Sequence, residues 1–305
     1  MKRQWRRAVV GLASLAAFGY LYGVYRREKA QALKALRAGS ETIPVGDGVV
    51  EYAVRGQGKP VLILHGGGGG YEQGLAIAEL LGLEQHQVIA ISRPGHRRTP
   101  LAMGRTPAEQ AAVARALLEQ LAVGPVVVVG VSAGGLTALR LAIDHAQACR
   151  ALVLISAHGP ALKKLQPAPY WLWLLKLMMA SDFLLWLVTK VGIWALIRLS
   201  GNDVREGDFG KIAGSTFPAS DWREGTINDM GQVLSLAGMP LETIRVPALV
   251  VHGLRDLVVP YEVAAATKRR IPEAQLVTIH TGTHLMVATD DGAIGKAVNQ
   301  FIERY

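Results

Sequence analysis

Residues 126–135, VVVVGVSAGG, followed by 136–146, LTALRLAIDHA, decide the fold. Four valines in succession form a continuous apolar run, the pattern of a strand covered on both faces. The stretch after them carries good helix formers. Between the two stands G-x-S-x-G, Gly130-Val131-Ser132-Ala133-Gly134. A strand that passes into a helix within so few residues needs small neighbours around the central serine. Such a turn lifts the Ser132 hydroxyl above the sheet end and points the next helix's N-terminus at the reacting oxygen. Ser132 is therefore the candidate nucleophile, and a parallel sheet with flanking helices is the predicted frame.

The rest of the chain from residue 49 keeps that rhythm. Apolar runs at 49–54, 61–64, 87–91, 151–155, 248–252 and 275–280 are predicted strands, with helical stretches between them. Thr106-Pro107-Ala108-Glu109 combines an N-cap, a proline at the first helical position and a glutamate at the third, so a helix is predicted over 107–122. Alternating strands and helices imply a mostly parallel sheet.

Directly after the strand at 61–64 comes His65 and five glycines, Gly66 to Gly70. No Lys-Ser/Thr follows, so a phosphate-binding P-loop fails, and no register gives G-x-G-x-x-G. What remains is a loop whose bare backbone N–H groups face a developing oxyanion. Gly67 is the predicted donor, paired with the N–H of Ala133, and His65 is read as holding the loop. Two later strand ends supply the partners of Ser132. Asp256 follows the strand at 248–252, and His284 stands in Thr281-Gly282-Thr283-His284 after the last strand. The order Ser, Asp, His is that of an α/β-hydrolase triad. Asp256 would orient the imidazole and His284 would shuttle the proton. The rivals are His252, His280, Asp290 and Asp291; His280 ends a strand and is predicted to be packed.

These segments together resemble the α/β-hydrolase fold family over residues 45–305, with an inserted helical cap. The resemblance implies an acyl-enzyme mechanism with an oxyanion hole and neither metal nor organic cofactor. One segment departs from the family. Where many members carry D-x-R-G-x-G-x-S, this chain has Ser92-Arg93-Pro94-Gly95-His96-Arg97-Arg98 after Ile91. Ser92 replaces an aspartate that is generally structural, which leaves the catalytic set intact. Ser132 contradicts the aspartate nucleophile of dehalogenase-like and epoxide-hydrolase-like members.

Composition excludes other classes. The 305 residues are 50% hydrophobic with a single cysteine, Cys149, so neither a disordered chain nor a disulfide scaffold fits. Net charge is +9, yet residues 1–37 hold nine basic groups against Glu28 alone. The remaining 268 residues are nearly neutral at +1, which removes the case for a nucleic-acid partner. The basic clusters bracket an uncharged run, residues 8–25, with Trp5 near one end and Tyr20, Tyr22 and Tyr25 near the other. At about 1.5 Å per residue it reaches roughly 27 Å, enough to span a hydrocarbon core as a single N-terminal anchor. The alternative is a signal segment and export after its cleavage, though no A-x-A site is evident. Basic residues on both flanks leave the orientation open. Residues 26–38 read as a helical stalk, giving an anchor-and-stalk unit at 1–38 and a hydrolase domain at 39–305.

The strand–helix rhythm breaks over 158–240, the predicted cap. Its residues 170–199 hold Trp171, Trp173, Trp186 and Trp194, with charges too regularly spaced for a second span. Two apolar amphipathic helices are predicted there, their tryptophans serving as core or as an apolar surface for an acyl substrate. A serine esterase or lipase acting on a lipophilic ester follows from anchor, cap and triad together. Other reactions of the fold keep the same serine: acyl transfer, amide or C–C hydrolysis, or perhydrolysis. A non-catalytic, membrane-tethered binding protein is the third class, and the complete triad argues against it.

Overall fold

The structure, a computed structural model, describes residues 2–159, 176, 179–192, 206–235, 238–289 and 291–305. Eight strands form one sheet: β1 (Glu41–Val45), β2 (Gly48–Arg55), β3 (Pro60–Leu64), β4 (Gln87–Ile91), β5 (Val126–Val131), β6 (Cys149–Ile155), β7 (Ala248–Gly253) and β8 (Gln275–Ile279). Their spatial order is β1-β2-β4-β3-β5-β6-β7-β8. β2 pairs antiparallel with β1 and β4, and every other pairing is parallel. All the predicted strands are present, and β1 is an addition. Its sequence, ETIPV, is polar and contains Pro44, which an edge strand tolerates because one side of it donates to no neighbour.

Successive residues of the inner strands point to opposite faces, and both faces are covered. Leu62, Leu64, Val128, Leu152 and Val250 pack toward α3 (Pro107–Gln120) and α4 (Gly134–Asp144), against Leu117 and Leu139. Val61, Ile63, Val127, Val129 and Val251 pack on the other side with Ile77 of α2 (Tyr71–Leu80) and with Val298 and Phe301 of the last helix, Ala293–Arg304. Each such side chain contributes about 1.5–3 kcal/mol by leaving water. The signature at 106–109 forms a complete capping box: the Glu109 N–H donates to the Thr106 hydroxyl, and the Thr106 N–H donates to the Glu109 carboxylate.

The N-terminal helix, α1 (Lys2–Ala38), joins the predicted anchor and stalk in one uninterrupted element. It is long and apolar enough to cross a membrane, and its apolar side chains are largely outside the body, with Val10, Leu12 and Leu15 between 63% and 70% exposed. Its far end is fixed to the body. The Tyr71 hydroxyl donates to the carbonyl of Leu36 at 2.6 Å, and Leu36 packs against Ala53, Tyr71 and Ala90.

Between β6 and β7 the described residues form α5 (Asp182–Leu187), a π-helical turn (Val188–Gly192), α6 (Glu206–Ser215) and α7 (Arg223–Ser235). The described part of the predicted interval is largely helical; of the stretch 170–199, for which two helices are expected, the described residues show α5 and the π-helical turn. Trp171, Trp173 and Trp194 lie outside the described residues.

Candidate active site

The site sits at the carboxyl ends of the parallel strands. Gly130 pairs with Leu64 on one side and Leu154 on the other, so the turn after β5 lies between the loops after β3 and β6. Ser132 has φ +50°, a left-handed conformation that a non-glycine residue adopts only when its surroundings enforce it. The enforcement is visible. The Ser132 N–H donates to the Ile155 carbonyl at 3.1 Å, and its carbonyl accepts from the N–H groups of Gly135 and His158 at 3.0 and 2.9 Å. A methyl group on Gly134 would overlap the carbonyl oxygens of Leu64 and His65, and one on Gly130 would lie 2.6 Å from that of Ala138. Both glycines of the motif are thus steric necessities.

The loops after β7 and β8 are joined by backbone hydrogen bonds, Leu254 N–H to Ile279 and Arg255 N–H to Gly282, at 3.0 and 2.9 Å. That junction brings the remaining two candidates to the serine. His284 Nε2 stands 3.0 Å from Ser132 Oγ, and His284 Nδ1 stands 2.9 Å from Asp256 Oδ2. A carboxylate at Nδ1 can only accept, so Nδ1 carries the proton and Nε2 offers its lone pair to the serine O–H. The other carboxylate oxygen accepts from the N–H groups of Val258 and Val259 at 2.9 and 2.8 Å. Burial pushes the Asp256 carboxyl up, but hydrogen bonds from His252, His284 and the Val259 N–H outweigh it and hold the group well below the usual carboxylate range. Asp256 is an anion at neutral pH.

His252, a rival by sequence, is fully buried. Its Nε2 lies 2.8 Å from the Val259 carbonyl and 3.3 Å from Asp256 Oδ2, so it braces the acid from behind. His280, predicted to be packed, instead lies exposed in the turn that follows Ile279. The strand stops one residue earlier than the apolar pattern suggests. Asp291 is exposed in a bend before the last helix, and Asp290 lies outside the described residues.

The glycine run owes its shape to inward hydrogen bonds. Gly66 donates to Gln73, Gly68 to Thr226 of α7, and Gly70 to Glu72, at 2.9, 3.1 and 3.0 Å. Among the described residues the N–H groups of Gly67 and Ala133 have no acceptor. The Gly66 carbonyl accepts from His65 Nδ1 at 2.7 Å and Arg93 Nη2 at 3.1 Å. A trans peptide places N–H opposite C=O, so this grip turns the Gly67 N–H away from the buried Arg93. His65 also accepts from the Arg93 N–H at its Nε2, 3.0 Å away, and burial first, then the Arg93 charge, keeps its ring neutral.

Arg93 and Asp229 are the residues that motif reading passed over. The guanidinium makes a bidentate pair with Asp229 of α7 at 2.9 and 2.7 Å, and both groups are buried. Arg93 was visible as part of the segment after β4. Asp229 has no local signal, because only the fold brings α7 to that segment. Ser92, in the place of the family's aspartate, donates to buried Glu51 at 2.8 Å, and Glu51 accepts from Arg98 at 2.7 Å. The missing carboxylate is supplied by the neighbouring strand. Trp186 is buried in α5 with its indole N–H donated to Glu28 of α1 at 2.8 Å, so it packs where α5 meets α1.

Comparison with known proteins agrees with this architecture. Residues 59–193 match the model of the alpha/beta hydrolase fold, and residues 222–304 match that of TAP-like proteins. The chain is 26% identical over 288 residues to the uncharacterized hydrolase YcgS of Bacillus subtilis (strain 168), covering 86% of this chain and 98% of that one. It is 29% identical over 226 residues to the 2-hydroxy-6-oxo-6-(2'-aminophenyl)hexa-2,4-dienoic acid hydrolase of Metapseudomonas resinovorans, covering 70% and 73% of the two chains. An alpha/beta hydrolase fold protein from Nakamurella multipartita superimposes with a TM-score of 0.73 at 26% identity, covering 86% of this chain and 98% of that one. Sheet order, strand-end loops and these matches give the chain the α/β-hydrolase fold.

Proposed function

We propose that this protein is a serine hydrolase that cleaves a carboxylic ester with a lipophilic acyl group. The observation that carries the reading is the unbroken hydrogen-bond chain from Ser132 Oγ through His284 to ionised Asp256, at 3.0 and 2.9 Å. In the first half-reaction Ser132 Oγ attacks the ester carbonyl while His284 Nε2 takes its proton. The carbonyl oxygen becomes an anion facing the free N–H groups of Gly67 and Ala133. His284 then protonates the leaving alcohol, and the acyl group remains on Ser132. Water, deprotonated by the same imidazole, releases the acid in the second half. The lipophilic preference rests on α1, whose residues 8–25 serve as a single-pass membrane anchor in this reading, and on the apolar sequence of the cap.

The test is Ser132→Ala in the full chain, assayed on p-nitrophenyl esters of increasing acyl length and with a fluorophosphonate probe. Loss of a nucleophile of this type lowers kcat by about 10⁶-fold. Retained labelling would overturn the assignment, and a flat response to chain length would remove the lipophilic preference. The likeness to the Metapseudomonas hydrolase favours one second reading, hydrolysis of a 2-hydroxy-6-oxo-hexadienoic acid. Turnover of such an acid by the wild type, with esters left intact, would favour it.

A further inference from the structure

The contact between α1 and the cap fixes how deep the cap sits. Phe183 of α5 packs against Phe18, Tyr22 and Tyr25 of α1, with ring centroids 5.8, 5.7 and 5.2 Å apart. Polar contacts follow directly on the C-terminal side of those rings. Asp182 accepts from Lys29, and Glu28 accepts from Trp186 and Lys190 at 2.8 and 3.0 Å. The face therefore grades from aromatic to ionic in the same direction as α1 passes from its uncharged run to its charged stalk.

Phe18 precedes Tyr25 by seven residues, about 10 Å along the helix axis. The whole uncharged run reaches only roughly 27 Å, against about 30 Å of hydrocarbon. Without the portion that α5 covers, residues 8–17 would reach about 15 Å and could not span. Since residues 18–25, nearly half of the run, cannot lie both in the acyl region and in water beside a cap helix, we infer that α5 is itself seated in the bilayer. Phe183 then lies at the level of the acyl chains, and Lys29, Asp182 and Lys190 lie among the headgroups. The partner is a lipid surface of anionic character. Arg26, Arg27 and Lys190 are exposed at that level, and an open groove of about 370 Å³ lined by Tyr22, Tyr25, Arg26, Lys29, Ala30 and Leu33 adjoins them.

This inference rests on the reading of residues 8–25 as an anchor, and one experiment separates the two. Cys149 is buried, with its thiol pushed up to about 12 by burial, so a thiol-reactive NBD dye leaves it unlabelled. Full-length Leu15→Cys, Phe183→Cys and Lys268→Cys variants are labelled and reconstituted into phosphatidylcholine/phosphatidylglycerol vesicles with doxyl-labelled lipid. Leu184→Cys repeats the α5 measurement with the Phe183 ring in place. The expected result is quenching at 15 and on α5, with none at exposed Lys268 at the far edge of the sheet. Quenching at 15 alone would overturn the seating of α5 and leave the anchor standing. No quenching at either position would overturn the anchor, and this inference with it.

Discussion

The Ser132 end of the sheet and the α1–α5 face are both tightly fixed, but by different means. At the strand ends the constraint is main-chain: a serine held at positive φ, two glycines without room for a methyl group, and loop amides committed to carbonyls. At the α1–α5 face it is side-chain: rings against rings, with ion pairs between residues more than 150 positions apart. Main-chain constraints come from short, contiguous sequence, so they leave motifs. Side-chain constraints across such separations leave none.

The largest predicted effect tests the first region. Asp256→Asn keeps the shape of the acid but favours the wrong imidazole tautomer, so kcat should fall about 10⁴-fold with little change in melting temperature. A drop below tenfold would mean that backbone geometry alone orients His284, and the contrast would sharpen. Asp229→Ala comes next, because it strands a buried guanidinium. Chemical denaturation should show a loss of about 3–5 kcal/mol. Ester turnover should fall further than the unfolded fraction explains, since Arg93 grips the Gly66 carbonyl.

Acid gives the smallest effect. The rings of His65 and His96 are fully buried, and burial first, then the Arg93 charge, depresses both, His96 to about 4. An unfolded chain binds these protons near the ordinary histidine value of about 6.5, whereas folded His96 binds its proton only near 4 and folded His65 well below the ordinary value. Stability contributed by the neutral rings is therefore complete above pH 6.5 and is lost as pH falls toward 4. Each kcal/mol lost lowers Tm by roughly 2–4 °C. Asp182 of the α1–α5 face is lowered below its ordinary range: burial raises it, but hydrogen bonds from Lys29 and Ser220 prevail. That pairing persists through the same pH window. Melting followed between pH 7 and 4.5 should thus show the body weakening while the contact of α1 with α5, read by the emission that a Trp186→Phe variant lacks, holds. Parallel loss of both signals would show that the two regions unfold as one.

Reading the sequence forward, the inner strands and the Ser132 turn were legible because consecutive β-branched residues and a glycine-flanked serine have few alternative structures. The bare glycine run is also what points to Gly67 as the proposed oxyanion donor. Side chains of Gln73, Thr226 and Glu72 take up the N–H groups of Gly66, Gly68 and Gly70, an arrangement that no motif announces. β1 was hidden by its polarity and Pro44, and the exposure of His280 by one residue of strand length. Trp186 stands out in the sequence as part of an apolar stretch, but its partner Glu28 belongs to a segment that reads as a stalk. Nothing in either stretch announces the other.

The bidentate pair of Arg93 with Asp229 ties the aim of the Gly67 amide to the position of helix α7. One guanidinium holds the donor loop with one edge and the cap with the other. The link is mechanical: a displacement of α7 would withdraw the carboxylate that holds the guanidinium, and with it the grip that turns the Gly67 N–H.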